Sequence, residues 1–202
     1  TLRSRTRHVY IRMPSTDAIA ELLEREGASP EQARWAAAVS GAHIGRARAL
    51  LRSEEARNRR HRILELGQAT MRPGHGYDLA VRMVQDARAA AVAANKDISE
   101  QETEELRTAL GAGGTGKSAA GALRGSAGAL KDLADAQKRR ETRMMRDSID
   151  LSLTDLATFY RDALMQATGA SVEVVHVDAQ RATAAMARAF SPEALLRCID
   201  VV

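Results

Sequence analysis

The sequence predicts an all-α chain. Three observations carry that expectation: the 45% apolar fraction is dominated by Ala and Leu, aromatic residues make up only 3%, and β-branched residues cluster almost solely between residues 172 and 177. Ala and Leu lead the helix propensities, whereas strands favour the branched and aromatic residues that are scarce here. At 202 residues the chain has room for one large domain or two small ones, and the pattern of breakers favours two.

The helical pattern starts after one exception. Val9 and Ile11 alternate with His8, Tyr10 and Arg12, which reads as a single strand. One strand is not stable alone, so it is assigned to a sheet preceding residue 1 or to an extended connector. From Ser15, the apolar residues Ala18, Ile19, Leu22 and Leu23 mark a short amphipathic helix that Gly27 closes. Ser29-Pro30-Glu31-Gln32 supplies an N-cap, a proline suited to the first helical position and a capping-box glutamine, opening a second helix to Val39. A third helix is expected from Arg46 through Leu66, with Leu50, Leu51, Ile63 and Leu66 as its apolar face. Together these form a small three-helix bundle over residues 14–70.

Met71-Arg72-Pro73-Gly74-His75-Gly76 concentrates breakers and sets the expected domain boundary. Beyond it come a helix from about Tyr77 to Asn95 and a second, opened by the capping box Ser99-Glu100-Gln101-Glu102, ending at Gly111. Residues 111–128 hold half of the 14 glycines and read as a flexible linker. Leu130, Leu133, Ile149, Leu153, Leu156, Tyr160 and Leu164 keep helical spacing up to Gly169, predicting one long helix or two joined end to end. A helix from about Asp178 to Phe190 and a last one capped by Ser191-Pro192-Glu193 complete the second domain, residues 71–202.

Charge and cysteine content bound the function. The formal charge is +4, and the arginine excess falls in residues 3–12, 46–62 and 138–146, which suits a nucleic-acid complex. The single Cys198 excludes an internal disulfide and points to a reducing, cytoplasmic setting. No apolar run reaches the ~18 residues that a membrane helix needs, and the basic N-terminus lacks the apolar core of a signal peptide. The first residue is not Met and the last predicted helix still runs at Val202, so both ends are read as cut.

Several motifs compete for a functional role. Gly111-Ala112-Gly113-Gly114-Thr115-Gly116-Lys117-Ser118 fits the phosphate-binding pattern GxxxxGK[ST]. Such a loop needs a buried apolar strand before it, so that its amides converge on phosphate at a helix N-terminus. The preceding Gln101, Glu102, Glu104, Glu105, Leu106 and Arg107 are charged and helical, so the pattern is judged a decoy. Arg57-Asn58-Arg59-Arg60-His61-Arg62 has the cations for DNA phosphates and equally those of a solvated helix face. The histidines at 8, 43, 61, 75 and 176 show no metal-binding spacing. Trp35 reads as a core residue among alanines, and Cys198 as a small hydrophobe rather than a nucleophile.

Two stretches resemble the delta-prime subunits of bacterial DNA polymerase III clamp loaders, in the form found in high-GC Gram-positive bacteria. Thr1-Leu2-Arg3-Ser4-Arg5-Thr6-Arg7-His8-Val9 resembles the Ser-Arg-Cys motif at the end of the nucleotide-binding domain, with Thr6 in place of the usual cysteine. The second stretch runs from Leu130-Lys131-Asp132 through Gln137-Lys138-Arg139-Arg140 to Asp155-Leu156, Phe159-Tyr160-Arg161-Asp162 and Gly169-Ala170, and is similar to the collar-domain helices of that family.

The resemblance implies a small AAA+ lid over residues 14–70 and a helical-bundle collar over 71–202, with residues 1–13 as the end of the nucleotide-binding domain. It implies that Arg5, beside Ser4, serves in trans as an arginine finger in the ATP-Mg site of a neighbouring subunit. A fixed guanidinium there stabilises the charge that develops in phosphoryl transfer, an effect worth about 10³–10⁵ in rate. Arg46, or Arg48, falls where clamp-loader lids carry a second nucleotide sensor, here expected to be vestigial. The implied partners are the gamma/tau and delta subunits in a hetero-pentamer and, through it, the sliding clamp and primer-template DNA. No cofactor is expected in the chain itself. The alternatives are a gamma/tau-type ATPase subunit, which a true phosphate-binding loop upstream would favour, and a stand-alone helical DNA-binding protein.

Overall fold

The computed structural model describes residues 7, 9, 10, 12–72, 74–110 and 119–202. Among them are eight helices: α1 (Thr16–Arg25), α2 (Pro30–Val39), α3 (Ile44–Arg52), α4 (Glu54–Ala69), α5 (Gly76–Ala109), α6 (Ala119–Thr168), α7 (Gln180–Ala189) and α8 (Pro192–Val201). The fold is all-α, as its composition predicts. None of the described helices is long and apolar enough to cross a membrane.

Local chemistry starts and stops these helices. The hydroxyls of Ser15, Ser29, Ser53 and Ser191 accept from the amides three residues on, at 3.2–3.3 Å, satisfying donors that a first helical turn leaves open. Pro30 and Pro192 sit in the first turns of α2 and α8, where a missing N–H costs nothing. Gly27, at φ +98°, ends α1: its own amide bonds Glu24 O, and the amide of Ala28 bonds Leu23 O. Gly169, at φ +67°, ends α6 in the same way, with Ala170 N donating to Met165 O.

Four expected elements differ. The single helix over residues 46–66 is two helices, because Ser53 is extended (φ −119°, ψ 116°), ending α3 and capping α4. Glu54 and Glu55 then lie in the first turn of α4, where carboxylates complement the helix dipole. The expected break between Asn95 and Ser99 is absent, since α5 runs unbroken through both. Ser99 is no cap. Its carbonyl and hydroxyl bond Thr103, Gln137 and Arg140 instead. The linker expected over 111–128 is helical from Ala119, and the residues before it, 111–118, lie outside the described ones. The expected strand is not formed at Val9, Tyr10 or Arg12, where no second strand is present among the described residues to complete a ladder; His8 and Ile11 lie outside them.

The chain divides into two compact units, Thr1–Met71 with Leu156–Val202, and Arg72–Asp155. In the first, α1, α2 and α3 enclose Ile19, Leu23, Ala33, Ala36, Ala37 and Ala47, with Trp35, Ile44 and Leu51 at the margin. The small alanines let the helices approach closely. The C-terminal part of α6 adds Phe159, fully buried, whose ring lies over Gly67 of α4. Met186 of α7 and Leu195 of α8 are also fully buried.

In the second unit α5 and α6 run antiparallel. Asn95 pairs with Arg140 and Met144, and Ser99 and Thr103 pair with Gln137, so residue numbers rise on one helix as they fall on the other. Ala87 and Ala91 are buried in this seam together with the polar Asn95.

Candidate functional site

The densest polar cluster of the first unit gathers residues far apart in sequence. Arg60 lies one turn before Ile63 and Leu64 on α4, and its side chain is buried to 6% exposure. The helical period that puts two aliphatic residues into the core carries the guanidinium in with them. Burial requires a partner, which the loop between α6 and α7 provides. Arg60 Nη1 and Nη2 reach the two oxygens of Asp178 at 2.7 and 2.8 Å, a bidentate pair. Trp35 Nε1 donates to the same carboxylate at 3.0 Å, and the Arg60 guanidinium sits 6.0 Å from the centre of the Trp35 ring.

His176 completes the cluster. It is fully buried, with Arg60 Nη2 at 2.9 Å from Nδ1 and Thr158 Oγ1 at 2.9 Å from Nε2. A guanidinium has no acceptor, so Nδ1 must accept and Nε2 must carry the proton. Asp162, also fully buried, receives the backbone N–H groups of Val175 and His176 and a hydrogen bond from Arg161 at 3.0 Å. Burial by itself raises the Asp178 carboxyl. The hydrogen bonds and charge of Arg60, aided by the Trp35 N–H, outweigh that and hold it below the usual carboxylate range.

The arrangement resembles a hydrolase triad only in its residue types. A base that activates Thr158 needs an unprotonated Nε2 and a carboxylate on Nδ1–H. Here the carboxylate is replaced by a cation, Nε2 is the protonated nitrogen, and the ring is closed to substrate. The cluster is therefore a clamp, tying α2, α4 and α6 to the loop at residues 170–179. A cleft of about 490 Å³ beside it is lined by Arg60, His61, Gln68, Asp178 and the start of α7.

The arginines expected to meet nucleotide or DNA have varied placements. Arg5 and Ser4 lie outside the described residues, as does the pattern from Gly111 to Ser118. Arg46 lies in the first turn of α3, half-buried and engaged in an interaction of its own. Arg48 forms a bidentate pair with Glu26, whose carboxyl is held down by that hydrogen bond. In the run at residues 57–62, Arg57 donates to Leu50 O and Leu51 O, capping α3; Arg60 is the buried clamp, and Arg62 pairs with Glu55 at 3.3 Å. This run, read as a phosphate face or a solvated one, is largely occupied by internal contacts.

Asp178 and His176, the partners of Arg60, are not marked as such by any sequence spacing. The available signal was an arginine on the Ile63, Leu64 and Gly67 face of a helix, where a cation demands a counter-charge. In the second unit Arg140 is the comparable centre, reaching Glu102 at 2.7 and 3.0 Å, Asn95 at 2.8 Å and Ser99 at 3.1 Å.

Comparison with family models, with curated proteins and with solved structures finds no match.

Proposed function

We propose that the chain is a clamp-loader subunit of the delta-prime type, which assembles with gamma/tau and delta subunits to load a sliding clamp on primed DNA. The observation that carries this reading is the pair of sequence resemblances, Thr1 to Val9 with its Ser4-Arg5-Thr6 motif and the stretch from Leu130 to Ala170. Support comes from where the second resemblance falls. Gln137 and Arg140 hold the polar seam between α5 and α6, and Phe159, Tyr160 and Asp162 are buried. These five shared residues are packing residues, which a common helical architecture would retain, whereas Lys138 and Arg139 of the same run are exposed. The subunit itself does not hydrolyse ATP, and Arg5 contributes its cation to a neighbour's ATP-Mg site.

The test is a pull-down of the chain against purified gamma/tau and delta subunits, with ATP analogues titrated separately. A stable complex without nucleotide binding is expected. Nucleotide binding without partner binding would instead favour the stretch from Gly111 to Ser118 as a genuine phosphate loop and an ATPase reading. In a reconstituted assembly containing the nucleotide-binding domain, Arg5→Ala should depress ATP hydrolysis; unchanged hydrolysis would remove the finger assignment alone.

A further inference from the structure

Several arginines are engaged with a carboxylate: Arg48 with Glu26, Arg60 with Asp178, Arg62 with Glu55, and Arg140 with Glu102. Four cations clustered on one stretch of α6 are not. Lys138, Arg139, Arg143 and Arg146 are exposed and make no ion pair among the described residues, although Asp135, Asp147 and Asp150 each lie four residues from one of the arginines. At 3.6 residues per turn, 138, 139, 142, 143 and 146 share one side of α6. Gln137, Arg140 and Met144, which contact α5, lie on the opposite side. The cationic stripe therefore faces away from the hairpin seam. Its rise is about 12 Å for eight residues at 1.5 Å each. Asp135 flanks it at one end, Asp147 and Asp150 at the other, and Thr142 lies in its middle.

We propose that this outer face of α6, from Lys138 to Arg146, is a contact for the phosphate backbone of duplex DNA. The stripe's chemistry selects that occupant. A protein partner would need an apolar or aromatic anchor at the centre of its footprint, and this groove is lined by none. Single strands are gripped by aromatic stacking platforms, which are also missing from it. An α-helix fits the B-form major groove, whereas the deep, narrow major groove of A-form RNA does not admit one. The cations are matched to backbone phosphates, which carry no sequence information, so binding is expected to be sequence-independent and salt-sensitive. The inference rests on the charge pattern of α6 and not on the clamp-loader reading.

The test is fluorescence anisotropy of a labelled duplex of about 20 base pairs with the full chain, across a salt series. A micromolar dissociation constant is expected, as for non-specific contacts. The variant Lys138→Gln, Arg139→Gln, Arg143→Gln and Arg146→Gln should bind at least tenfold more weakly at about 50 mM salt, with the slope of log K against log salt shallower by roughly 3.6. A control with the same charge change, Arg34→Gln, Arg181→Gln, Arg188→Gln and Arg197→Gln, should keep the wild-type slope. Circular dichroism checks that both variants retain their helices.

Three results would overturn the proposal. They are no binding by the wild-type chain, equal losses in the two variants, or displacement by polyglutamate as effective as by unlabelled duplex, which would make an acidic protein surface the ligand. Because the experiment contains no partner subunit, its failure leaves the clamp-loader reading standing, and a failed pull-down leaves the stripe standing.

Discussion

Arg60 and His176 share a hydrogen bond, Nη2 to Nδ1 at 2.9 Å, that places a permanent cation against a neutral imidazole in a buried site. The contact is tolerable because the Asp178 carboxylate accepts from both terminal guanidinium nitrogens, Nη1 and Nη2. Removing Arg60 leaves Asp178 without its counter-charge and His176 without its donor. Arg60→Ala is expected to destabilise the first unit by about 3 kcal/mol, the lower end of the range for breaking a buried pair, because Asp178 keeps some access to water. Denaturant unfolding checks it. Arg62→Ala, which breaks the exposed pair with Glu55, should change stability by less than about 0.5 kcal/mol.

The same carboxylate gives stability a pH dependence. Asp178 is held below its ordinary value in the folded chain, so it contributes stability that is fully present above the unfolded pKa and is lost as pH falls through the folded one. The difference in unfolding free energy between wild type and Asp178→Asn should be constant near neutrality and shrink below about pH 4. His176 is present in both proteins, so the difference isolates the carboxylate. Trp35, the sole tryptophan, donates to Asp178, so its fluorescence reports the clamp directly. Curves that stay parallel down to pH 2 would mean the pair contributes nothing.

Gly67 is required by a close approach. A Cβ there would lie 2.6 Å from Phe159 Cδ1 and 2.9 Å from Cε1, and the Phe159 ring is fully buried. Ala would gain about 1 kcal/mol of helix propensity in solvent-exposed surroundings. Overpacking of about 1–3 kcal/mol opposes that gain. Gly67→Ala should therefore lower the melting temperature, whereas Gly45→Ala, where a Cβ meets nothing within 4 Å, should not.

Arg140 serves Glu102, Asn95 and Ser99 through three nitrogens. A lysine is a single point donor and does not span those acceptors. Arg140→Lys and Arg140→Ala should thus both weaken the α5–α6 hairpin, with little rescue by lysine. Hydrogen exchange at amides near Asn95 would follow the change. Full protection in the lysine variant would count against the network.

Much of the architecture was legible because its signals are local. Ser15, Ser29 and Ser191 satisfy amides three residues away, and Gly27 and Gly169 adopt conformations that other residues resist, so these ends can be read within a few residues. Ser53 and Ser99 show the limit. Both precede acidic residues, yet only Ser53 caps a helix; Ser99 is held inside α5, bonded to Gln137 and Arg140 of α6. A cap pattern competes with the propensity of the flanking residues and with packing from the other helix, neither of which a four-residue window contains.

The sequence by itself determined that the chain is helical, where most helices begin and end, and which cations exist to be used. Those follow from propensity, capping and periodicity, all set by neighbours along the chain. Only the tertiary structure decided how the cations are spent. It buried Arg60 against Asp178, 118 residues away, turned Arg57 onto the end of α3, and left Lys138, Arg139, Arg143 and Arg146 facing outward. It also divided the chain inside one continuous helix, at Asp155 and Leu156 of α6. A charge's role depends on which partner reaches it and how much water remains, and both are set by residues that are distant in sequence.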